Sequence, residues 1–157
     1  MSTSPYSACV SRRLAAERER DDARNARAET NRLARRQSFQ AAADWLESAV
    51  IAAVDRCVAG SGGAVQIDCR SNFASDGEDA YKNAHVVFSI RGTAGAPVTE
   101  YEVFVAHGLV SVHRIRNHMR RPVIIPGFTG PQLVGAASSD FGAAIVRLAL
   151  DEGEGGA

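Results

Sequence analysis

The chain has 157 residues, with 18 basic residues against 18 acidic ones, 45% hydrophobic residues and 6% aromatic residues. A chain of this length buries roughly 70% of its unfolded surface, so we expect one domain with an ordinary hydrophobic core. The zero net charge excludes a protein whose whole surface binds nucleic acid or an anionic membrane. Lys82 is the only lysine. This arginine bias is typical of a GC-rich genome, and we expect a bacterial or phage origin.

The cysteines and histidines do not form a metal-binding pattern. The three cysteines make no CxxC pair, no HExxH motif occurs, and the acidic loop at 76–79 lacks the ligand spacing of a calcium-binding loop. We therefore expect no metal and no cofactor. The first ten residues lack the apolar stretch of a signal peptide, and no apolar run approaches the ~20 residues that span a bilayer. The expected location is the cytoplasm, with no membrane contact.

The first third of the chain is predicted to be helical. From Ser11 to Ala59 it has no proline or glycine and is rich in Ala, Arg, Glu and Leu. Its character changes near Gln37. Up to that point large apolar residues are few, and the heptad seam that fits best contains two charged residues, which makes a poor coiled coil. We expect residues 1–37 to form a helical arm, with residues 1–10 flexible.

From residue 38 onward the apolar residues follow a helical period and predict a helix that packs on a core. Ser38 is a candidate N-cap, which would allow a break between the arm and the packed helix. The glycine-rich segment at 60–63 then ends the helical part of the chain.

The second half of the chain is predicted to form an antiparallel meander. Alternating runs at 65–69, 85–91, 99–106 and 109–117 predict strands, and residues 123–125 predict a short edge strand or extended segment. His107-Gly108 between two alternating runs indicates a two-residue hairpin turn. In the resulting register Val103 lies opposite Val112, and Glu102 lies opposite His113.

A helix from about Ser138, with an apolar stripe through Phe141 and Ile145, completes the predicted domain. The predicted fold class is α+β: a long N-terminal helix, a four- to five-stranded antiparallel meander and a C-terminal helix, with the helices packed on one face of the sheet. The compact domain is expected to cover residues 38–152, followed by a flexible tail at 153–157.

The sequence gives little support for a catalytic site. Glu102 opposite His113 is the best acid–base pair, yet an ordinary solvent-exposed cross-strand pair is the more common interpretation. No nucleophile motif is present, and we expect no catalytic residues and no enzymatic activity.

The function favoured by the sequence is a non-enzymatic interaction or assembly module. Its charged arm would dock on another subunit or a target protein, because a long mixed-charge helix with little apolar surface is not held by its own core. The arginines of the arm, taken together, occur at most angles around the helix. The expected partner-binding residues are Arg13, Arg20, Arg24, Arg27, Leu33, Arg35 and Arg36.

Two other functions remain open. The first is nucleic-acid binding through the basic segment 113–121, in which alternate residues of one extended strand would follow a phosphate backbone. Its expected binding residues are Arg114, Arg116, His118, Arg120 and Arg121. Ion pairing of these arginines with Glu100 or Glu102 is the ordinary alternative. The second function is small-ligand binding in a pocket between sheet and helices, lined by Trp45, Phe88 and Tyr101.

Overall fold

The computed structural model describes residues 4–73, 83–91, 98–125, 128 and 138–154. The acidic loop at 76–79 and the last three residues of the expected tail lie outside these ranges. The chain divides into two compact units, Met1–Gln37 and Ser38–Ala157. Each unit is described separately below.

The N-terminal helical part consists of α1 (Ser7–Leu46), a π-helical turn (Glu47–Ile51) and α2 (Ala52–Gly60). Helix α1 continues across Ser38, so the candidate N-cap at Ser38 is wrong and no break occurs there. The irregularity lies further along the chain, where the backbone N–H of Ala52 donates to the carbonyl of Glu47 five residues earlier. This i to i+5 spacing adds one residue to a single turn of the helix.

Five antiparallel strands follow and pair in sequence order, which makes a simple meander. Each strand pairs with the next one along the chain. The strands are β1 (Ile67–Asn72), β2 (His85–Ile90), β3 (Thr99–Ala106), β4 (Leu109–Arg116) and β5 (Met119–Pro122). Residues 123–125, predicted as an edge strand or extended segment, lie outside the regular strands, and β5 forms this edge of the sheet.

The predicted register of the β3–β4 hairpin is confirmed. Val103 pairs with Val112, and Glu102 pairs with His113. His107 and Gly108 have φ angles of 52° and 75°. Two successive residues with positive φ make the type I′ turn whose twist matches that of the flanking strands.

The prediction that residues 113–121 form one extended strand is wrong, because the segment folds into a second tight hairpin. Asn117 and His118, with φ angles of 50° and 63°, form its turn. Arg116 therefore pairs with Met119, and Arg114 pairs with Arg121. Residues that lie directly opposite each other across this turn therefore share one face of the sheet. The alternation of faces expected along one extended strand does not apply to this segment.

The core lies between one face of the sheet and the helices of the second unit. The strand residues Val86, Phe88 and Val103 are fully buried, as are Leu46 and Val50 in the helical part. Helix α3 (Ser138–Glu154) adds Phe141 and Ile145, which are also fully buried. This arrangement confirms the predicted α+β class with two helical segments packed against an antiparallel meander.

A close contact between backbones joins α3 to the π turn. A Cβ atom placed on Gly142 would lie 1.8 Å from the carbonyl oxygen of Ala49 and 2.7 Å from the Cβ of Ala53. Only glycine leaves room for the two backbones at this distance. The apolar stripe predicted for this helix did not include Gly142.

Candidate interaction surfaces

The first unit is a helix without a buried side. Every described residue from Ser4 to Ser38 is exposed, including the large apolar residues Leu14 and Leu33. The first buried residues of α1 are Ala42 and Ala43, which belong to the second unit. The helix starts at Ser7, within the first ten residues for which we expected flexibility.

Five of the seven predicted partner-binding residues share one side of the arm. At about 100° per residue, Arg13, Arg20, Arg24, Arg27 and Arg35 fall within roughly 80° of azimuth. We call these five residues and Asn31 the arginine strip. Leu33 and Arg36 lie on other sides of the helix. Although the nine arginines together surround the helix, as the sequence indicated, more than half of them are concentrated on this strip.

Two arginines of the strip form exposed charge pairs within the arm. Arg13 pairs with Glu17 at 3.2 Å, and Arg24 approaches Asp21 at 3.9 Å. The side chains of these two arginines are 82% and 81% exposed. Exposed pairs of this kind contribute about 0.3–0.5 kcal/mol each, so these arginines can exchange their partners at small cost.

A second charged surface, not identified from the sequence, lies on the outward side of the helical part of the second unit. Asp44, Glu47 and Asp55 are all exposed there. We call these three residues the acidic strip. Asp44 accepts a hydrogen bond of 2.8 Å from Gln40, and Arg56 is an exposed basic neighbour of Asp55.

Two of the four arginines in the basic hairpin formed by β4 and β5 form ion pairs within the chain. Arg114 contacts Glu152 at 2.8 Å, and Arg120 contacts Glu102 at 2.7 Å. Pairing within the chain, the ordinary alternative for this segment, therefore accounts for both of them. Arg116, His118 and Arg121 are exposed near the turn.

The pair considered for acid–base chemistry lies on the face of the sheet opposite to the core. Glu102 and His113 are cross-strand neighbours, but the carboxylate of Glu102 accepts its hydrogen bond from Arg120. The ring of His113 stacks on Phe104, with the ring centroids 5.1 Å apart and the planes nearly parallel. The surroundings of the two side chains are therefore those of an ion pair and an aromatic stack.

A partly buried polar cluster connects the sheet to the end of α3. The hydroxyl of Tyr101 donates to one carboxylate oxygen of Glu152, and Arg114 donates to the other at 2.8 Å. Tyr101 is only 2% exposed, and its ring stacks on Phe88. A carboxylate in the last turn of a helix is disfavoured by the helix dipole, and Arg114 offsets this effect.

Replacement of Glu152 by alanine is expected to lower the free energy of unfolding by about 1–3 kcal/mol, because it leaves the buried Tyr101 hydroxyl without its acceptor. Asp151→Ala is the matched control, since it removes one exposed carboxylate from the same helix end. Urea unfolding of the two variants measures the difference. Equal free energies of unfolding for the two variants would show that the cluster contributes nothing to stability beyond the net charge.

The same cluster predicts how stability depends on alkaline pH. Burial, followed by the hydrogen bond to Glu152, raises the pKa of Tyr101 well above that of a free tyrosine. Because the folded pKa is the higher one, the stabilisation is complete below the unfolded pKa of about 10 and is lost as the pH rises above it. The stability gap between the wild type and Tyr101→Phe should therefore narrow above about pH 10 in urea titrations, and a gap that stays constant would contradict this assignment.

Metal sites, membrane-spanning helices and an aromatic pocket are the remaining candidate features. Within the described ranges, no group of three or more His, Cys, Asp or Glu side chains could hold a metal ion. None of the helices in the part of the chain that the structure describes is long and apolar enough to cross a membrane. Among the aromatic residues suggested as a pocket lining, Phe88 stacks on Tyr101, and Trp45 lies 5.3 Å from Phe141.

Comparisons with known proteins give no family. No protein-family model, no curated protein and no solved structure matches the chain.

Proposed function

We propose that the chain is a non-enzymatic assembly module that docks its helical arm on another protein molecule in the cytoplasm, either a second subunit or a separate target. The observation that carries this proposal is the exposure of every described residue from Ser4 to Ser38. In its described residues this helix buries no apolar face, so hydrophobic packing contributes little to holding it. A protein surface that covers the arm would provide the missing tertiary contacts.

The arginine strip favours an acidic protein surface as the docking partner. Guanidinium groups form bidentate pairs with carboxylates, and the strip places five of them on one side of a helix. The three cysteines are free, which supports the cytoplasmic part of the proposal because disulfides form in oxidising compartments.

A photo-cross-linking experiment on the full chain tests this function. The probe is p-benzoylphenylalanine, placed at Asn31 in the strip or at Asp22 on another side of the helix, in cells that naturally express the protein. We expect protein adducts from position 31 and few from position 22. The adducts should be lost in the Arg20→Ala/Arg27→Ala variant and kept in the matched Arg12→Ala/Arg18→Ala control, which removes the same charge from outside the strip.

The outcomes separate the possible partners. Protein adducts that depend on the strip support docking, whatever the mass of the captured protein. An absence of adducts at position 31, or adducts that persist without Arg20 and Arg27, would contradict the proposed function. Adducts that disappear after nuclease treatment would favour the nucleic-acid alternative.

Nucleic-acid binding through residues 113–121 is the second candidate, supported by the exposure of Arg116, His118 and Arg121. It is less favoured because Arg114 and Arg120 are neutralised by carboxylates of the same chain. A salt titration with mixed-sequence duplex tests it. Binding through three phosphate contacts would give a slope of log affinity against log salt of about −2 to −3, whereas a flat profile would exclude it.

A further inference from the structure

Building on the proposed function, we infer that the protein molecule on which the arm docks is a second copy of this chain. The arm of one copy lies antiparallel along the helix that carries the acidic strip of the other copy. Arg13, Arg20 and Arg24 of one copy then face Asp55, Glu47 and Asp44 of the second copy, in that order.

The first support is the distribution of charge along the chain. The unit Met1–Gln37 carries nine arginines against five acidic residues, a net charge of +4. The unit Ser38–Ala157 carries nine basic against thirteen acidic residues, a net charge of −4. The zero net charge of the whole chain is therefore the sum of two units whose net charges have opposite signs. An electropositive arm and an electronegative body attract each other when they belong to different molecules.

The second support is the matching spacing of the two strips. Arg13 and Arg24 are eleven residues apart, as are Asp44 and Asp55. Arg13 and Arg24 are therefore about 16 Å apart along the axis of α1, and the Asp44–Asp55 span is somewhat shorter because it contains the π turn. Arg20 and Glu47 lie between these ends, four and three residues from the Arg24–Asp44 end. In an antiparallel alignment all three arginines come within one helical residue of a carboxylate.

The spacing also selects the direction. In a parallel alignment Arg13 and Arg24 would again reach the two aspartates, but Glu47 would lie opposite Ala16, next to Glu17. The antiparallel arrangement gains a third ion pair, between Arg20 and Glu47, and in this register Asp21 lies opposite Glu47. Small exposed residues beside the acidic strip, Ala41 and Ser48, allow a second helix to come close.

Pairing of the arms with each other is the less favourable association. Each arm carries a net charge of +4, and its best heptad seam contains Arg12 and Glu19. A parallel arm pair would place like charges opposite each other at these two seam positions. Docking of an arm on an acidic strip instead brings together groups of opposite charge.

Charge reversal on the full chain tests this inference by sedimentation equilibrium. The arm variant is Arg20→Glu/Arg24→Glu, and the body variant is Asp44→Arg/Glu47→Arg. All four residues are exposed, and circular dichroism and thermal unfolding check that each variant is folded. We expect the wild type to form dimers and each variant alone to dimerise at least about tenfold more weakly.

Mixing the two variants distinguishes this interface from others. Where the arm of the arm variant lies on the body variant, the two introduced glutamates would face the two introduced arginines. Where the arm of the body variant lies on the arm variant, the native pairs are kept. An equimolar mixture should therefore recover the wild-type affinity to within about threefold, and so should the single chain that carries all four substitutions.

Several results would overturn the inference. A wild type that remains a monomer at every soluble concentration excludes a second copy as the partner. A dimer weakened by the arm variant but not by the body variant places the arm on another surface. A dimer that is insensitive to both variants removes the arm from the interface, and a dimer that is weakened by both variants but not restored on mixing excludes direct pairing of the arm with the acidic strip. None of these results changes the interpretation of protein adducts at position 31, so the cross-linking experiment tests the proposed function independently.

Discussion

Replacement of Gly142 by alanine is expected to destabilise the second unit by about 3 kcal/mol, because the added methyl group has no space. Its Cβ would lie 1.8 Å from the backbone carbonyl oxygen of Ala49 and 2.7 Å from the Cβ of Ala53. A backbone atom cannot turn aside as a flexible side chain does. Helix α3 would have to move away from the π turn, and contacts of the fully buried neighbours Phe141 and Ile145 would be weakened with it.

Thermal and urea unfolding of Gly142→Ala measure this effect, which corresponds to a fall in Tm of roughly 6–12 °C for a chain of this size. Gly60→Ala is the matched control. Gly60 lies at the end of α2, and a Cβ at that position meets nothing within 4 Å. The control should be neutral or slightly stabilising, because alanine restricts the unfolded chain more than glycine does. Similar Tm values for the two variants would show that α3 does not pack as closely as described.

Replacement of Phe141 by alanine is expected to lower the free energy of unfolding by about 3–5 kcal/mol. Phe141 is fully buried, with Trp45 at 5.3 Å and Phe128 at 5.5 Å between ring centroids. Alanine removes both aromatic contacts and leaves a cavity whose walls are fixed by the sheet and the helices.

Phe141→Leu provides a graded comparison in the same denaturation series. Leucine keeps much of the buried volume but lacks the ring, so its cost should be less than half that of alanine. Equal losses for the two variants would indicate that the aromatic contacts, and not the filled volume, determine stability at this position.

Where local signals agree with the tertiary structure, the sequence predicts the fold well. The helical spacing of Leu46, Val50 and Ala53 identifies the buried side of the N-terminal helical part. The dipeptide His107-Gly108 is sufficient to predict the first hairpin and its register, because glycine at positive φ is a strong turn signal.

The second hairpin could not be predicted in the same way. Its turn has histidine where glycine is usual, and the basic residues continue on either side of Asn117-His118 as though the strand were unbroken. The π turn and the Gly142 contact likewise depend on how α3 packs, and packing leaves no periodic signal in one segment of sequence.

The candidate surfaces were predicted only in part. The arginine strip follows from helical geometry once the arm is regular, and it includes five of the residues selected from sequence. Leu33 and Arg36 fall outside it because they were chosen without regard to azimuth. The acidic strip required knowledge of the π turn, since the extra residue shifts the position of Asp55 around the axis relative to Asp44.

The π turn also determines where the length of this protein can change. A turn closed from Ala52 to Glu47 contains one residue more than an α-helical turn. Removal of a single residue between Glu47 and Ile51 would convert this turn into regular α-helix. The buried residues before and after the turn would still face the core. Elsewhere in the packed helix, a one-residue deletion would rotate every preceding side chain by about 100° and expose the core face. In an alignment with true relatives, a one-residue gap within this helix should therefore fall at Glu47–Ile51.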